Sequence, residues 1–289
     1  MQEYKIKNQN QFNLVHTFEC GQCFRWNKQE DGSYIGVVKN SVIQVTQKNQ
    51  DFIFKSVGED DLQTLVNEYF DLERDYSILQ QQLSKIDDNL ETSIKYGNGI
   101  RLLNQDLWET ILSFIISANN NIPRIKGIID RLSKNFGKEI IFEGKSYYTF
   151  PTSEELKNVS VQKYRELGLG FRDVRVYETV QKIIKKQVDL EALQNNQNTL
   201  EVRENLLTLP GVGPKVADCI LLFSDLKRLE VFPIDVWVKR VMNELYIKQD
   251  DENKVSKKQI ESLAQEKFGN LAGLAQQYLF YWRRDKDGA

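Results

Sequence analysis

Residues 206–222, Leu206-Leu-Thr-Leu-Pro-Gly-Val-Gly-Pro-Lys-Val-Ala-Asp-Cys-Ile-Leu-Leu222, decide how this chain is read, together with Asp235 twenty positions beyond Lys215. Gly211 and Gly213 permit a tight turn with positive φ and close backbone approach. Pro214 suits the first position of a helix, where a missing N–H costs nothing. The unpaired N–H groups of the turn and of the first helical turn then present an anion site, and a phosphate is its natural occupant. Lys215 stands at the positive end of the helix dipole, which predicts a lowered pKa and a neutral, nucleophilic amine.

Outward from this stretch the chain divides by pattern. Residues 20–58 read as antiparallel strands: Cys23-Phe-Arg-Trp26, Tyr34–Val38, Val42–Thr46 and Asp51–Lys55. Their partial alternation fits a sheet with one face covered by helices. From Glu59 the period becomes helical, with Leu62, Leu65, Val66 and Tyr69, then Ile78, Leu79, Leu83 and Ile86. Tyr96-Gly-Asn-Gly99 reads as a linker, which predicts domains at 1–99 and 100–289. After it nearly everything is helical: an amphipathic Leu107–Ala118, Ile122–Phe136 ending at Gly137, Val174–Lys186, then 199–208, 214–225, 236–246, 257–269 and 273–284. The fold class is α+β, an antiparallel-sheet domain followed by a helical body.

Composition allows two domains in 289 residues and is ordinary for a globular protein, with 40% hydrophobic and 28% charged residues. The longest apolar run, Val216 to Phe223, is far too short to span a membrane, and the N-terminus has no apolar core of a secretory signal. These features predict a cytoplasmic protein of a prokaryote, and a monomer. Cys20, Cys23 and Cys219 are an odd set that argues against a disulfide framework. Cys20-x-x-Cys23 lacks the second pair that a zinc site or iron–sulfur cluster needs. His16, the sole histidine, has no partner motif and is assigned no role. The net charge of −2 opposes a simple nucleic-acid binder. Its distribution softens the objection: residues 1–100 carry ten Lys and Arg against fifteen Asp and Glu, the rest 29 against 26. DNA affinity would have to come from a few placed contacts and helix N-termini.

Leu209-Pro-Gly-Val-Gly213 resembles the hairpin of helix-hairpin-helix proteins, although alone it also fits an ordinary turn between helices. The Lys215 and Asp235 pair resembles the HhH-GPD superfamily of DNA glycosylases, and Lys215-Val-Ala-Asp-Cys219 resembles its 8-oxoguanine DNA glycosylase/AP lyases. The resemblance runs from Gly21 to Phe280. It implies a TATA-binding-protein-like sheet domain before a helical body that carries the hairpin.

For the site, the resemblance implies that Lys215 attacks C1′ and forms a Schiff base while Asp235 stabilises the developing positive charge. Asp235 also reads as the N-cap of the next helix. The backbone of Gly211, Val212 and Gly213 would meet the DNA backbone. Gly21 matches the glycine whose carbonyl accepts the N7–H of 8-oxoguanine and repels the N7 lone pair of guanine. Cys219 and Phe280 match the residues that sandwich the base, and Gln276 the one on its Watson–Crick edge; Cys219 and Phe280 equally fit apolar helix faces. Ser117-Ala-Asn-Asn-Asn-Ile-Pro-Arg124 resembles the segment that reads the estranged cytosine. It puts Asn119 and Arg124 on DNA, with Asn121 as a cap and a phosphate contact equally open to Arg124. Gly168-Leu-Gly-Phe-Arg172 matches the wedge, with Phe171 inserting between bases and Arg172 holding the cytosine; a core position for Phe171 is the alternative. Trp237 stands where eukaryotic relatives have a histidine, and core packing is expected of it. Carbonyls of Leu207, Leu209 and Val212 match a monovalent-cation site, and no organic cofactor is implied.

The implied activity is excision of 8-oxoguanine from duplex DNA followed by β-elimination. Two alternatives remain at this point: a glycosylase of the same fold for another damaged purine, and a non-catalytic helix-hairpin-helix DNA-binding module.

Overall fold

The computed structural model describes residues 1–286. Among them the strands β1 (Gln2–Ile6), β2 (Asn27–Lys28), β3 (Tyr34–Val38), β4 (Ser41–Lys48) and β5 (Asp51–Gly58) form one sheet in the order β1-β5-β4-β3-β2. Every neighbouring pair is antiparallel. Alternation sets the faces: Phe52, Phe54 and Ser56 of β5 are buried while Ile53, Lys55 and Val57 are half-buried. The inner face packs Phe52, Phe54, Tyr34 and Val45 against α1 (Leu14–Glu19) and α2 (Leu62–Tyr69).

The strand expected at Cys23–Trp26 is an irregular bend, and its residues are used differently. Trp26 lies flat across β3, so that a Cβ on Gly36 would stand 2.6 Å from its ring. Its indole N–H donates to the Tyr69 hydroxyl at 3.0 Å, and its ring stacks on Phe18. A buried tryptophan with its N–H satisfied fixes the chain more firmly than a ladder of two residues could.

The chain continues as α3 (Tyr76–Ser84), α4 (Asp88–Tyr96), α5 (Leu107–Ser117) and α6 (Ile122–Phe136), then a second hairpin, β6 (Glu139–Phe142) and β7 (Lys145–Tyr148). Then follow α7 (Ser153–Leu156), α8 (Val161–Glu166), α9 (Asp173–Ile184), α10 (Leu190–Asn195) and α11 (Thr199–Leu207). The last helices are α12 (Pro214–Phe223), α13 (Val236–Met242), α14 (Lys257–Phe268) and α15 (Ala272–Lys286). The β6–β7 hairpin was not expected in the helical half. It closes the sheet's second face, where Ile35, Val37 and Val42 pack against Phe142 with Ile140 and Tyr147 alongside. Both faces of β3 are therefore buried, which is why its five residues read as a continuous apolar run.

Helix α5 also departs from its amphipathic expectation. From Leu107 to Ile116 every residue except Glu109 is buried, so α5 is the central rod of the helical core. That core also takes in Tyr76, Leu83, Leu90 and Ile94 from α3 and α4. Gln80 of α3 donates to the Tyr278 hydroxyl of α15 at 2.9 Å. The C-terminal helix thus rests on elements that precede residue 99 in sequence.

Candidate active site and nucleic-acid interface

The hairpin forms as its residue types dictate. Helix α11 ends at Leu207, and Leu209 and Val212 bury their side chains, leaving the backbone of residues 210–213 outward. Gly211 adopts φ +86°, whereas Gly213 does not need the left-handed region: it is extended at φ −94° and serves as N-cap of α12. Neighbouring helices are capped by side chains, Asn198 on α11 and Asp235 on α13. Gly213 has none to offer, so the first N–H groups of α12 stay available to an external acceptor. Arg203 and the buried Asp218 clamp α11 to α12 through a 2.6 Å ion pair.

One face of α12 carries the chemistry. Lys215, Cys219 and Leu222 lie at i, i+4 and i+7 on it. The Lys215 ammonium stands 5.5 Å from the centre of the Phe114 ring of α5, with Cys219 and Asp235 as its electrostatic neighbours. Asp235 accepts the Val238 N–H at 2.8 Å, which fixes the carboxylate at the start of α13. The expected lowering of the Lys215 pKa does not occur. Its pKa is raised, because Cys219 and then Asp235 favour the ammonium and together outweigh burial. Burial pushes the Cys219 thiol up to about 11, so the pull of Cys219 on the ammonium belongs to its ionised form at alkaline pH, and near neutral pH Asp235 is the charge that favours the ammonium. The helix-dipole argument failed because it ignored groups that only tertiary packing brings near.

Helix α15 packs beside α12. Gly273 lets it approach α12 so closely that a Cβ there would meet Leu222 at 2.5 Å. Gln276 and Phe280 follow at helical spacing on the same side. Gln276 is buried and its side-chain oxygen has no hydrogen-bond partner, an expense that a bound donor would remove. Phe280 reaches back to the start of the chain, within 3.6 Å of a Cβ placed on Gly21. Gly21 adopts φ +85° in a turn pinned from several sides. Gln22 donates to the carbonyls of Thr17 at 2.8 Å and Arg101 at 2.7 Å and accepts the Leu103 N–H at 2.9 Å. Gln277 donates to Cys20 O at 2.6 Å, and Arg284 to Glu19 O at 2.7 Å. Gln22, Gln277 and Arg284 escaped the sequence reading, since their partners are backbone atoms far away in the chain. Cys20 and Cys23 are buried, and burial raises both thiol pKa values.

The residues expected to meet the DNA gather on α6 and the loop before α9. Asn121 caps α6 by accepting the Arg124 N–H at 3.0 Å, and Asn119 is exposed at φ +51°. Arg124 is exposed and its guanidinium approaches Gly168 O at 3.4 Å. Phe171 is 54% exposed, which removes the core alternative. Arg172 differs from expectation: it is 1% exposed, and its donors are spent on Ala118 O, Asn119 O and Leu169 O at 2.6–3.2 Å. It cannot hold a cytosine without abandoning the Asn119 loop, so it positions that loop and the wedge together. Arg131, also unforeseen, donates to Leu167 O at 2.8 Å and fastens the wedge loop to α6. Trp237 is half-buried beneath the Arg240 guanidinium, 5.3 Å from its ring centre, rather than part of the core.

This arrangement, a sheet domain whose turn meets the far end of a helix-hairpin-helix body, matches the HhH-GPD class. Residues 112–269 match the HhH-GPD superfamily of base excision DNA repair proteins, and residues 5–111 match the N-terminal domain of 8-oxoguanine DNA glycosylase. The chain belongs to the 8-oxoguanine DNA glycosylase family. It is 34% identical to an N-glycosylase/DNA lyase of Saccharomyces cerevisiae, over 83% of this chain and 69% of that one. It is 32% identical to a probable N-glycosylase/DNA lyase of Methanothermobacter thermautotrophicus, over 73% and 70%. The structure of the Clostridium acetobutylicum 8-oxoguanine glycosylase/lyase with duplex DNA containing cytosine opposite 8-oxoguanine superposes with a TM-score of 0.91. It is 41% identical and covers 99% of each chain. No helix of the described residues is long and apolar enough to cross a membrane.

The assignment of Arg172 predicts that Arg172→Ala, which takes the guanidinium donors from the carbonyls of Ala118 and Asn119, costs about 1.5–3 kcal/mol. Chemical denaturation reads this, and amide exchange should accelerate across residues 117–121. An unchanged stability would return Arg172 to the DNA surface.

Proposed function

We propose that this chain excises 8-oxoguanine from duplex DNA through Lys215 and then nicks the strand as an AP lyase. The observation that carries the reading is the grouping of Lys215 with Cys219 and Asp235, on a helix packed against the one that bears the unpaired Gln276 oxygen and sets Phe280 beside Gly21. A binding module has no use for an amine poised beside a carboxylate.

The chemistry begins with loss of the Lys215 ammonium proton. The free amine then attacks C1′, the N-glycosidic bond breaks, and the base leaves with the bond electrons while Asp235 stabilises the positive charge at C1′. The sugar C1′–O4′ bond opens to give the protonated Schiff base. Loss of a C2′ proton expels the 3′ phosphate, and water hydrolyses the imine to free Lys215. Filling the pocket with a base excludes water, which favours the uncharged amine over the ammonium. The Gly21 carbonyl distinguishes the lesion by accepting N7–H, and Gln276 takes a donor from the Watson–Crick edge. Phe171 refills the vacated stack, and Asn119 and Arg124 meet the orphaned cytosine.

The outward backbone of Gly211, Val212 and Gly213 takes DNA phosphates. The neutral carbonyls of Leu207, Leu209 and Val212 suit a monovalent ion, since the turn already attracts a cation: Lys182 donates to Thr208 O at 2.8 Å. Such an ion would add positive charge beneath a phosphate; no organic cofactor or iron–sulfur cluster enters this reading. The chain acts as a monomer on the DNA of a prokaryotic cytoplasm.

Borohydride reduction of a reaction with an 8-oxoguanine:cytosine duplex should yield a covalent protein–DNA adduct that Lys215→Gln does not form. Absence of the adduct with the wild-type chain would remove the lysine mechanism. A duplex panel carrying other damaged purines should show faster excision of 8-oxoguanine than of any of them.

The pH profile follows from the raised Lys215 pKa. Since attack needs the neutral amine, kcat/KM for excision, which reports the free enzyme, should climb with pH from 7 to 9, by up to about tenfold per unit. Asp235→Asn removes a charge that holds the proton, so its profile should level off at lower pH. Its ceiling should fall by about 10²–10⁴-fold. A flat wild-type profile over that range would contradict the assignment.

Arg124→Ala should weaken the preference for cytosine opposite the lesion by about 1–3 kcal/mol if Arg124 reads the base edge. Equal loss opposite all four bases would reassign it to a phosphate.

A further inference from the structure

Three guanidinium groups gather at the wedge, and only one is spent on the protein in full. Arg172 is buried and committed to the carbonyls of residues 118, 119 and 169. Burial first, and then the like charges of Arg124 and Arg175, push its pKa down. The nearest acid in sequence, Asp173, is taken by Arg165 at 2.7 Å. A cluster of this kind costs electrostatic energy until an anion arrives.

Arg175 has an unusual position within it. Its side chain runs between the wedge and the hairpin: the guanidinium lies 5.1 Å from the centre of the Phe171 ring. The aliphatic stem covers Gly211 so closely that a Cβ there would be 2.8 Å from Arg175 Cδ and 3.4 Å from its Cβ and Cγ. Gly211 is therefore required twice, for its φ of +86° and for the space the stem occupies. The Arg175 guanidinium has no hydrogen bond or ion pair among the described residues, and the side chain is half-buried rather than waving in solvent. An arginine held by its stem and its face, with its fork of donors unspent, is prepared for a bidentate oxyanion.

We infer that Arg175 is a positioning residue that grips a backbone phosphate of the strand held by the hairpin and, through its face, holds Phe171 in the inserting orientation. Resting on the glycosylase reading above, this couples two events that the fold otherwise keeps apart. Capture of a phosphate at the hairpin fixes the guanidinium plane, and the plane fixes the ring. The neighbouring Arg172 cannot supply the link, because its donors are already occupied.

The test uses Arg175→Met, which keeps the stem on Gly211 and removes the charge, and Arg175→Lys, which restores it. Binding is measured to a duplex with a tetrahydrofuran abasic site, which offers no glycosidic bond and no aldehyde, between 50 and 200 mM salt. One lost phosphate contact lowers the salt slope by about 0.9, so the wild-type chain should lose about three- to fourfold more affinity over that range than Arg175→Met. Arg175→Lys should recover the slope. With 2-aminopurine beside the site, the fluorescence rise that reports unstacking should fall in Arg175→Met to the level of Phe171→Ala. Thermal melting of the free variants should match wild type, separating this from a folding defect. Equal salt slopes and an equal fluorescence rise in Arg175→Met would overturn the proposal. That outcome with a normal borohydride adduct leaves the glycosylase reading intact, whereas loss of the wild-type adduct strikes that reading alone.

Discussion

Two buried amides, Gln22 and Gln277, hold the turn at Gly21 between the sheet and the last helix, and the placement of Phe280 beside it depends on them. Each satisfies backbone groups that water cannot reach: Gln22 serves Thr17, Arg101 and Leu103, and Gln277 serves Cys20. A buried carbonyl or N–H without a partner costs about 1–3 kcal/mol, so each amide strongly favours a single register of turn against helix. That register puts Phe280 beside Gly21. Because α15 also approaches α12 at Gly273, the turn is tied through α15 to the helix that carries Lys215.

The acidic balance of the chain loses its force as an objection once the acids are located. Asp61, Asp75, Asp87, Asp106, Asp189 and Asp235 cap helices. Asp218 and Glu109 are paired with Arg203 and Arg25. These carboxylates neutralise helix dipoles and arginines within the protein. The cations of the wedge and α6, by contrast, have few acidic partners. Net charge is a poor guide to the surface a polyanion meets, because it counts spent and unspent charges alike.

At Lys215 the local and the tertiary surroundings oppose each other. A helix N-terminus disfavours an ammonium, yet the Asp235 carboxylate, and Cys219 where it is ionised, favour it. A lysine protonated at rest is shielded from stray aldehydes, and a reaction that uses it must first take its proton.

Local chemistry made much of the protein legible in its sequence. The helix start at Pro214, the Asn121 cap, the strands from Tyr34 to Gly58 and the period of α6 and α14 each depend on residues within a turn or a strand of one another. The Lys215 and Asp235 pair, with the glycines between α11 and α12, was enough to point to the family to which the chain belongs. Contacts between distant segments were not legible. The β6–β7 hairpin is too short to show a pattern, and it is held by the outer face of a sheet formed a hundred residues earlier. Arg172 looked like a DNA contact because its carbonyl partners are invisible in a string of letters, and Trp237 looked like core because hydrophobicity does not report what covers it. The sequence by itself determined which groups could react and where helices begin, since those depend on neighbours along the chain. Only the tertiary structure decided which arginines were spent and what surrounds the Lys215 ammonium, since each depends on the groups that packing brings within a few ångströms.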